Sequence, residues 1–511
     1  MERFLKRHQD RIEGIISGFD RILFRGSLRS ISRSEGIQLW IRSQGILMRD
    51  FRSYAIKLSE RITDHAKAFA QSKGRPYQHV SSPHASKEEI AQDIIQRDKV
   101  KAGLICVLSC VEKCKTFRFA RLSRKKKHFG LKYIHGQCLH LYFYFLDPEF
   151  GLMHVRLQTW LPFPIQVCIN GWEWLAHRLD SAHISYQKSD NCFLHIDDIP
   201  KAQRFTNELI NRNWARFLNP LAKLVNPWMI RNPLKIHPYY WSIRESEYST
   251  DVLFKSRADL NSIYPSLLDH AIRTFHCEDV LRFLQRRVCF NGEVKTSFKV
   301  RIEGTRIKHW VQENSIKMYD KQGSVLRIEV TINNPRRWKV WRRGTHKGKH
   351  CMGWIPMRKG IADIRRRAEI SCTANERYLD ALSIVGESIC VHKVFDPVAK
   401  QIHRKGRPFR PLHPLAPIDS GILEAVNRGN FLLHGFRNGD LRQILFPASD
   451  ILPATKRQAQ SRVSRILCLL RAHGLVFKVS KTNRYRLTHR GLSLASTAIK
   501  LRNVNLLDLV A

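Results

Sequence analysis

Two basic side chains stand against every acidic one in this chain: 88 Lys+Arg against 44 Asp+Glu over 511 residues, a formal net charge of +44. A folded surface so charged repels itself, and the common resolution is a polyanionic partner, most often nucleic acid. An anionic membrane is the other option, but no amphipathic anchor or lipidation signal accompanies the charge. No run approaches the roughly 18–20 apolar residues that span a bilayer. The opening MERFLKRHQDRIEG has no apolar signal region. At 43% hydrophobic and 10% aromatic residues the composition is globular, and the length suggests about three domains. The twelve cysteines are scattered without a Cys-x-x-Cys pair, which fits a reducing cytoplasm better than a disulfide scaffold.

The pattern along the chain predicts an α+β, multidomain protein: a central antiparallel sheet region with helices, and a C-terminal winged-helix domain. Residues 1–100 read as a mainly helical N-terminal region. Within them, Arg21, Arg25 and Arg29 in ISGFDRILFRGSLRSI would share one helical face, while Gly18 and Gly26 allow a strand and turn instead. Residues 101–395 form the α+β central region. There, alternation on either side of Asp147-Pro148-Glu149-Phe150-Gly151 predicts a long hairpin, with His154, Arg156, Gln158 and Trp160 on one face, either a nucleic-acid platform or an ordinary solvated face. Residues 201–290 read as helix with a loop at 230–242, and 293–333 as a β-meander.

Residues 336–367 hold twelve Lys/Arg and a single acid, Asp363. Arg336, Arg337, Trp338, Arg342 and Arg343 lie there, in a mixture suited to neutralising phosphates and stacking on bases, or to a basic loop pinned by core tryptophans. Residues 396–418, with five prolines and many bases, read as a linker. Residues 419–511 read as three helices, a basic hairpin and a last helix, the order of a winged helix. Its third helix would present Arg457, Gln458, Arg462 and Arg465 to nucleic acid, and its wing Lys481, Arg484 and Arg486.

Candidate chemistry centres on Ile316-Lys317-Met318-Tyr319-Asp320-Lys321 followed by Arg327 and Glu329. A two-residue turn at Gln322-Gly323 would put Asp320, Arg327 and Glu329 on one sheet face, with Tyr319 and Lys321 on the other; a three-residue turn would change that register. Asp320 and Glu329 could then hold a divalent metal, magnesium or manganese, for phosphoryl transfer with Arg327 between them, or form a cross-strand salt bridge. Glu245, Glu247 and Asp251 form an acidic island that supplies metal ligands or pairs with nearby arginines. No Walker A loop, nucleophile elbow or dinucleotide fingerprint occurs.

Two resemblances add to this reading. AHGLVFKV…RYRLTHRG resembles the end of many bacterial winged-helix transcription regulators, which implies contact with DNA or RNA. Tyr319-Asp320-Lys321 followed by Arg327-x-Glu329 is similar to part of the replication initiators of rolling-circle plasmids and filamentous phages, which implies a nicking, palm-like domain. Tyr378 is a candidate nucleophile by position alone. The whole chain also resembles a bacterial protein family that shares the SGFDR…FRG opening, NSIKMYDK and the winged-helix end; it carries no activity over. The expectation is a nucleic-acid-binding protein, DNA favoured, of mobile-element or replication type. The alternatives are a metal-dependent DNA-nicking enzyme and an RNA-binding component of a ribonucleoprotein.

Overall fold

The structure, a computed structural model, describes residues 1–121, 129–286, 294–301, 304–346, 349–383, 391–404, 406–428, 431, 435–447, 453–479 and 482–504. Its strands in chain order are β1 (Ile12–Ser27), β2 (Tyr77–His79), β3 (Gly103–Arg121), β4 (Phe129–Asp147), β5 (Gly151–Gln158), β6 (Ile165–Asn170), β7 (Tyr186–Lys188), β8 (Phe193–Ile196), β9 (Tyr240–Phe254), β10 (Val294–Arg301), β11 (Gly304–Val311), β12 (Asn314–Lys321) and β13 (Val325–Ile332). All but the β7–β8 hairpin join one eleven-stranded sheet of order β10-β11-β12-β13-β9-β1-β6-β5-β4-β3-β2. The fold is mixed α/β around this sheet, which is antiparallel except for the parallel β2–β3 pair.

The sheet joins what the sequence reading kept apart. β1, from the region expected to be mainly helical, is its central strand, paired with β6 on one side and β9 on the other. The residues Phe19, Ile22, Phe24 and Leu28 are buried along it, and Arg21 and Arg25, four apart, share a strand face as readily as a helical one. β9 replaces the loop and helix expected near residue 240. Its residues from Tyr248 to Phe254 are all buried, and they pair with β1 and β13 at once. A strand buried on both faces loses its alternating signature.

Helices cover the sheet. Helix Ile364–Leu382 packs on β9 and β13, where the fully buried Arg367 donates to the Ser246 hydroxyl and to the carbonyls of Ile243 and Ile332. Tyr378 on that helix packs in the core against Phe275 and Phe283, and its hydroxyl meets the His309 ring at 3.3 Å rather than a carboxylate, which leaves it outside the site. Helices Gly171–Ser181 and Ile199–Ile210 pack on β1.

The Trp-rich segment is a separate hairpin, β14 (Lys339–His346) with β15 (Lys349–Pro356). Trp338 does not serve it: the ring is 3% exposed and its indole N–H donates to the Leu284 carbonyl. Trp341 and Trp354 face each other edge to face at 5.7 Å, more than half exposed, beside exposed Arg343. Arg336 and Arg337 are exposed, whereas Arg342 pairs with buried Asp363 at 2.9 Å. Trp338→Ala should therefore cost about 3–5 kcal/mol of stability. Trp341→Ala should leave stability within about 0.5 kcal/mol but remove a base-stacking surface worth about 1–3 kcal/mol. Urea titration and oligonucleotide binding of the two variants separate these roles.

The expected linker is also not free. It forms the short hairpin β16 (Ile402–Arg404) and β17 (Arg407–Phe409), and buried Val398 and Leu412 join the C-terminal core. That core holds helices Pro417–Val426, Asn438–Leu445, Pro453–Ala472 and His489–Asn503, and the hairpin β18 (Val476–Lys478) with β19 (Tyr485–Leu487).

Candidate functional site: a carboxylate centre on the sheet

The turn between β12 and β13 decides the site. Gln322 and Gly323 both take positive φ, and with Ser324 they make a three-residue connection. Lys321 then pairs with Val325, Tyr319 with Arg327, and Lys317 with Glu329. This overturns the placement of Asp320: one residue more in the turn moves every β12 side chain to the other face. Asp320 instead accepts from the Thr305 amide at 2.5 Å, against Gly304 at φ 130°, where a Cβ would collide with it. Lys317 and Tyr319 take its place beside Glu329 and Arg327.

On that face β9 presents Glu247 and Asp251, directly beside β13, and Glu245, opposite Leu23 of β1, completing the acidic island. β1 adds Asp20 through a bulge: the pairing steps from Phe19–Tyr248 to Arg21–Glu247, leaving Asp20 as the extra residue. The bulge lets Asp20 and Arg21 reach the same side of the sheet. From above, the turn of the β7–β8 hairpin brings Asp190 and Asn191. Lys321 pairs with Asp190 at 3.2 Å, and the Asn191 amide donates to Asp20.

The centre has two halves. In one, the fully buried Arg327 guanidinium donates to both oxygens of Asp251 at 2.7 and 2.5 Å, to Asp20 at 3.0 Å and to the Asn191 carbonyl at 2.9 Å. In the other, buried Glu329 forms an ion pair with Lys317 at 2.6 Å and accepts from the Tyr319 hydroxyl at 3.0 Å. Between them, one oxygen each of Asp20, Glu247 and Glu329 lies within 4.8 Å of the others. Arg21 closes the rim, pairing with Glu245 at 2.8 Å and Glu247 at 3.4 Å.

Protonation follows these contacts. Burial lifts Asp20 above its ordinary range against the pull of Arg327. Burial, with Glu329 adding to it, pushes Glu247 up to about 7. Glu329 is buried too, but Lys317 and Arg327 together hold it below its ordinary value. Burial, reinforced by Glu329, keeps the Tyr319 phenol protonated well above its usual range.

Three convergent carboxylate oxygens are hard ligands of the kind magnesium and manganese take. The expected pair Asp320 and Glu329 is thus replaced by Asp20, Glu247 and Glu329, and Arg327 stands as an ion-pair partner rather than between two metal ligands. The other expected residues lie elsewhere. Arg457, Gln458, Arg462 and Arg465 are exposed on helix Pro453–Ala472, and Arg484 and Arg486 are half-buried on the hairpin; Lys481 lies outside the described residues. His154, Arg156 and Gln158 do share a face of β5, but Gln158 is buried and bonded to the Lys115 and Trp160 carbonyls, and Trp160 falls beyond the strand. Among the described residues, no helix is long and apolar enough to cross a membrane. Compared with known families, curated proteins and solved structures, the chain matches none of them.

Proposed function

We propose that this is a DNA-binding protein that cuts one strand at the sheet centre, using Asp20, Glu247 and Glu329 to hold a divalent metal and Tyr319 as the nucleophile. The observation that carries the reading is the convergence of three carboxylates from β1, β9 and β13 within 4.8 Å, with a tyrosine hydroxyl already donating to one of them. A magnesium or manganese ion bound there would supply Lewis-acid stabilisation of charge on a phosphoryl oxygen. The remaining chemistry belongs to the chain. The Tyr319 phenol gives up its proton to the carboxylate it already donates to, Glu329. The phenolic oxygen bonds to phosphorus as one bridging P–O bond breaks. The departing oxygen takes a proton from solvent, and the strand stays joined through a phosphotyrosine. Lys317 and Arg21 neutralise the incoming phosphate.

The reading is supported at the C-terminus by the order helix, helix, helix, hairpin, helix, and by Phe436, which bridges to Tyr485 through two 2.8 Å backbone bonds as a third short strand would. We read this unit as a winged helix, with Arg457, Gln458, Arg462 and Arg465 facing the duplex. Arg462→Ala should weaken binding across all sequences and reduce the slope of log affinity against log salt by about one.

The decisive test is calorimetric titration of the apo protein with Mn²⁺, alongside nicking of supercoiled plasmid. Wild type should bind one ion and nick only with metal, and Asp20→Asn and Glu329→Gln should lose both. Cleavage that persists in Glu329→Gln would overturn the assignment. RNA alone bound to the purified protein would overturn the choice of DNA.

A further inference from the structure

The carboxylate centre occupies the β13, β9 and β1 part of the sheet, and the strand order continues through β6, β5 and β4. There the surface holds a cavity of about 240 Å³, bounded by Arg21, Leu23 and Glu245 on one side and by Tyr142, His154 and Gln166 on the other, with Arg156 at its wall. The strand register explains the grouping. Leu23 lies opposite Cys168, which lies opposite His154; in the next row Gln166 lies opposite Arg156, which lies opposite Tyr142.

The groups in this cavity have spare bonding capacity. Among the described residues, neither the Gln166 amide nor the His154 ring makes a hydrogen bond. The buried Nε of Arg156 has no partner, although its other end pairs with Glu112 at 2.5 Å. Burial, with Arg156 and Arg21 adding to it, holds His154 down to about 4, so at neutral pH the ring offers one donor and one acceptor. Tyr142 and Leu23 supply a flat and an apolar wall. The combination is that of a nucleobase site: a face to stack on, and donors and acceptors at the edge. The volume lies below the roughly 300 Å³ at which drug-sized pockets begin, so the cavity suits one base and not two. Arg21 belongs to both places, since it pairs with Glu245 in the cavity and with Glu247 in the carboxylate centre. Strands stand about 4.8 Å apart, which puts the cavity within reach of the nucleotide next to the one at the centre.

We propose that this cavity takes one unpaired nucleobase of the strand whose phosphodiester lies over Asp20, Glu247 and Glu329. The proposal rests on the strand-cutting reading and adds the form of its substrate, a locally single-stranded DNA with one base turned into the sheet.

The test is photocrosslinking of the full chain to a single-stranded oligodeoxynucleotide of thymidine and 5-iododeoxyuridine, with the adduct located by peptide mass spectrometry. The adduct should fall on Tyr142 or His154. Leu23→Trp, which fills the cavity, and Gln166→Leu, which keeps its volume but loses the amide, should each cut that adduct about tenfold. Total oligonucleotide retention on a filter, which the cationic surface dominates, should change less than about twofold. Circular dichroism checks that both variants fold. Adducts confined to Trp341 and Trp354, or a yield unchanged in both variants, would overturn the proposal. Plasmid nicking measured in parallel separates the two readings. Nicking without a cavity adduct rejects the base site alone, whereas a cavity adduct without nicking upholds the base site and rejects the cutting.

Discussion

Arg327→Ala is expected to destabilise the sheet by about 3–5 kcal/mol, read as a drop in urea midpoint, because it removes the guanidinium that pairs with both Asp251 and Asp20 inside the protein. Asp251 is fully buried and Asp20 is 7% exposed, so neither carboxylate can turn to water for compensation. Arg327→Leu combined with Asp251→Leu should recover much of the loss, since an apolar pair in place of a buried ion pair is often neutral or better. That recovery would mark the guanidinium as a structural clamp that fixes Asp20 for its neighbours. A variant Arg327→Ala with wild-type stability but no nicking would show instead that the guanidinium acts on substrate, and the two-halved picture of the centre would fail.

Tyr319→Phe should abolish strand cutting, by on the order of 10³-fold or more, while the protein still binds Mn²⁺ and DNA. The substitution removes a single oxygen, and the ring keeps the Lys317 ammonium over its face at 5.4 Å. Glu329 loses one of its donors but keeps Lys317 at 2.6 Å, so the cost in stability should stay near 1 kcal/mol. The discriminating measurement is the covalent intermediate. Wild type should retain DNA through a bond that survives denaturant, and digestion should place the phosphate on the Tyr319 peptide. If Tyr319→Phe still nicks, the nucleophile is water and the three carboxylates serve a hydrolase.

Much of this centre was open to a reader of the sequence, but its composition was not. Alternation over β10 to β13 marked four strands, and the Tyr319-to-Glu329 stretch was singled out from residue types alone. The register then turned on one residue. Counting two residues in the turn faces Asp320 inward; counting three faces Lys317 and Tyr319 inward, and no local signal separates the two counts with certainty when Gln322, Gly323 and Ser324 all suit a turn. Glu245, Glu247 and Asp251 stood out as an acidic island, and their spacing at even intervals was the available sign of a strand. It was obscured because β9 is buried from Tyr248 onward, so that Tyr248, Thr250 and Val252 are as hidden as the residues between them. Asp20 could not be found at all by local reasoning. Its role depends on a bulge and on partners, Asn191 and Arg327, that lie 171 and 307 residues further along the chain. The cationic C-terminal helix was legible, because amphipathic spacing and exposed arginines are local properties.

The placement of β1 has a consequence for how the protein is made. Of the sheet's described strands this one is made before the others, and β6 can pair with one of its edges early. The other edge has no partner until β9 emerges some seventy residues after β6. During that interval a long, largely apolar strand edge stands open, which is the kind of surface that recruits other chains. The carboxylate centre is delayed further still. Asp20 waits through more than three hundred residues for Glu329. A partial chain that stops before β13 would therefore carry the basic surface without the third carboxylate; on the proposed reading it would bind DNA without cutting it.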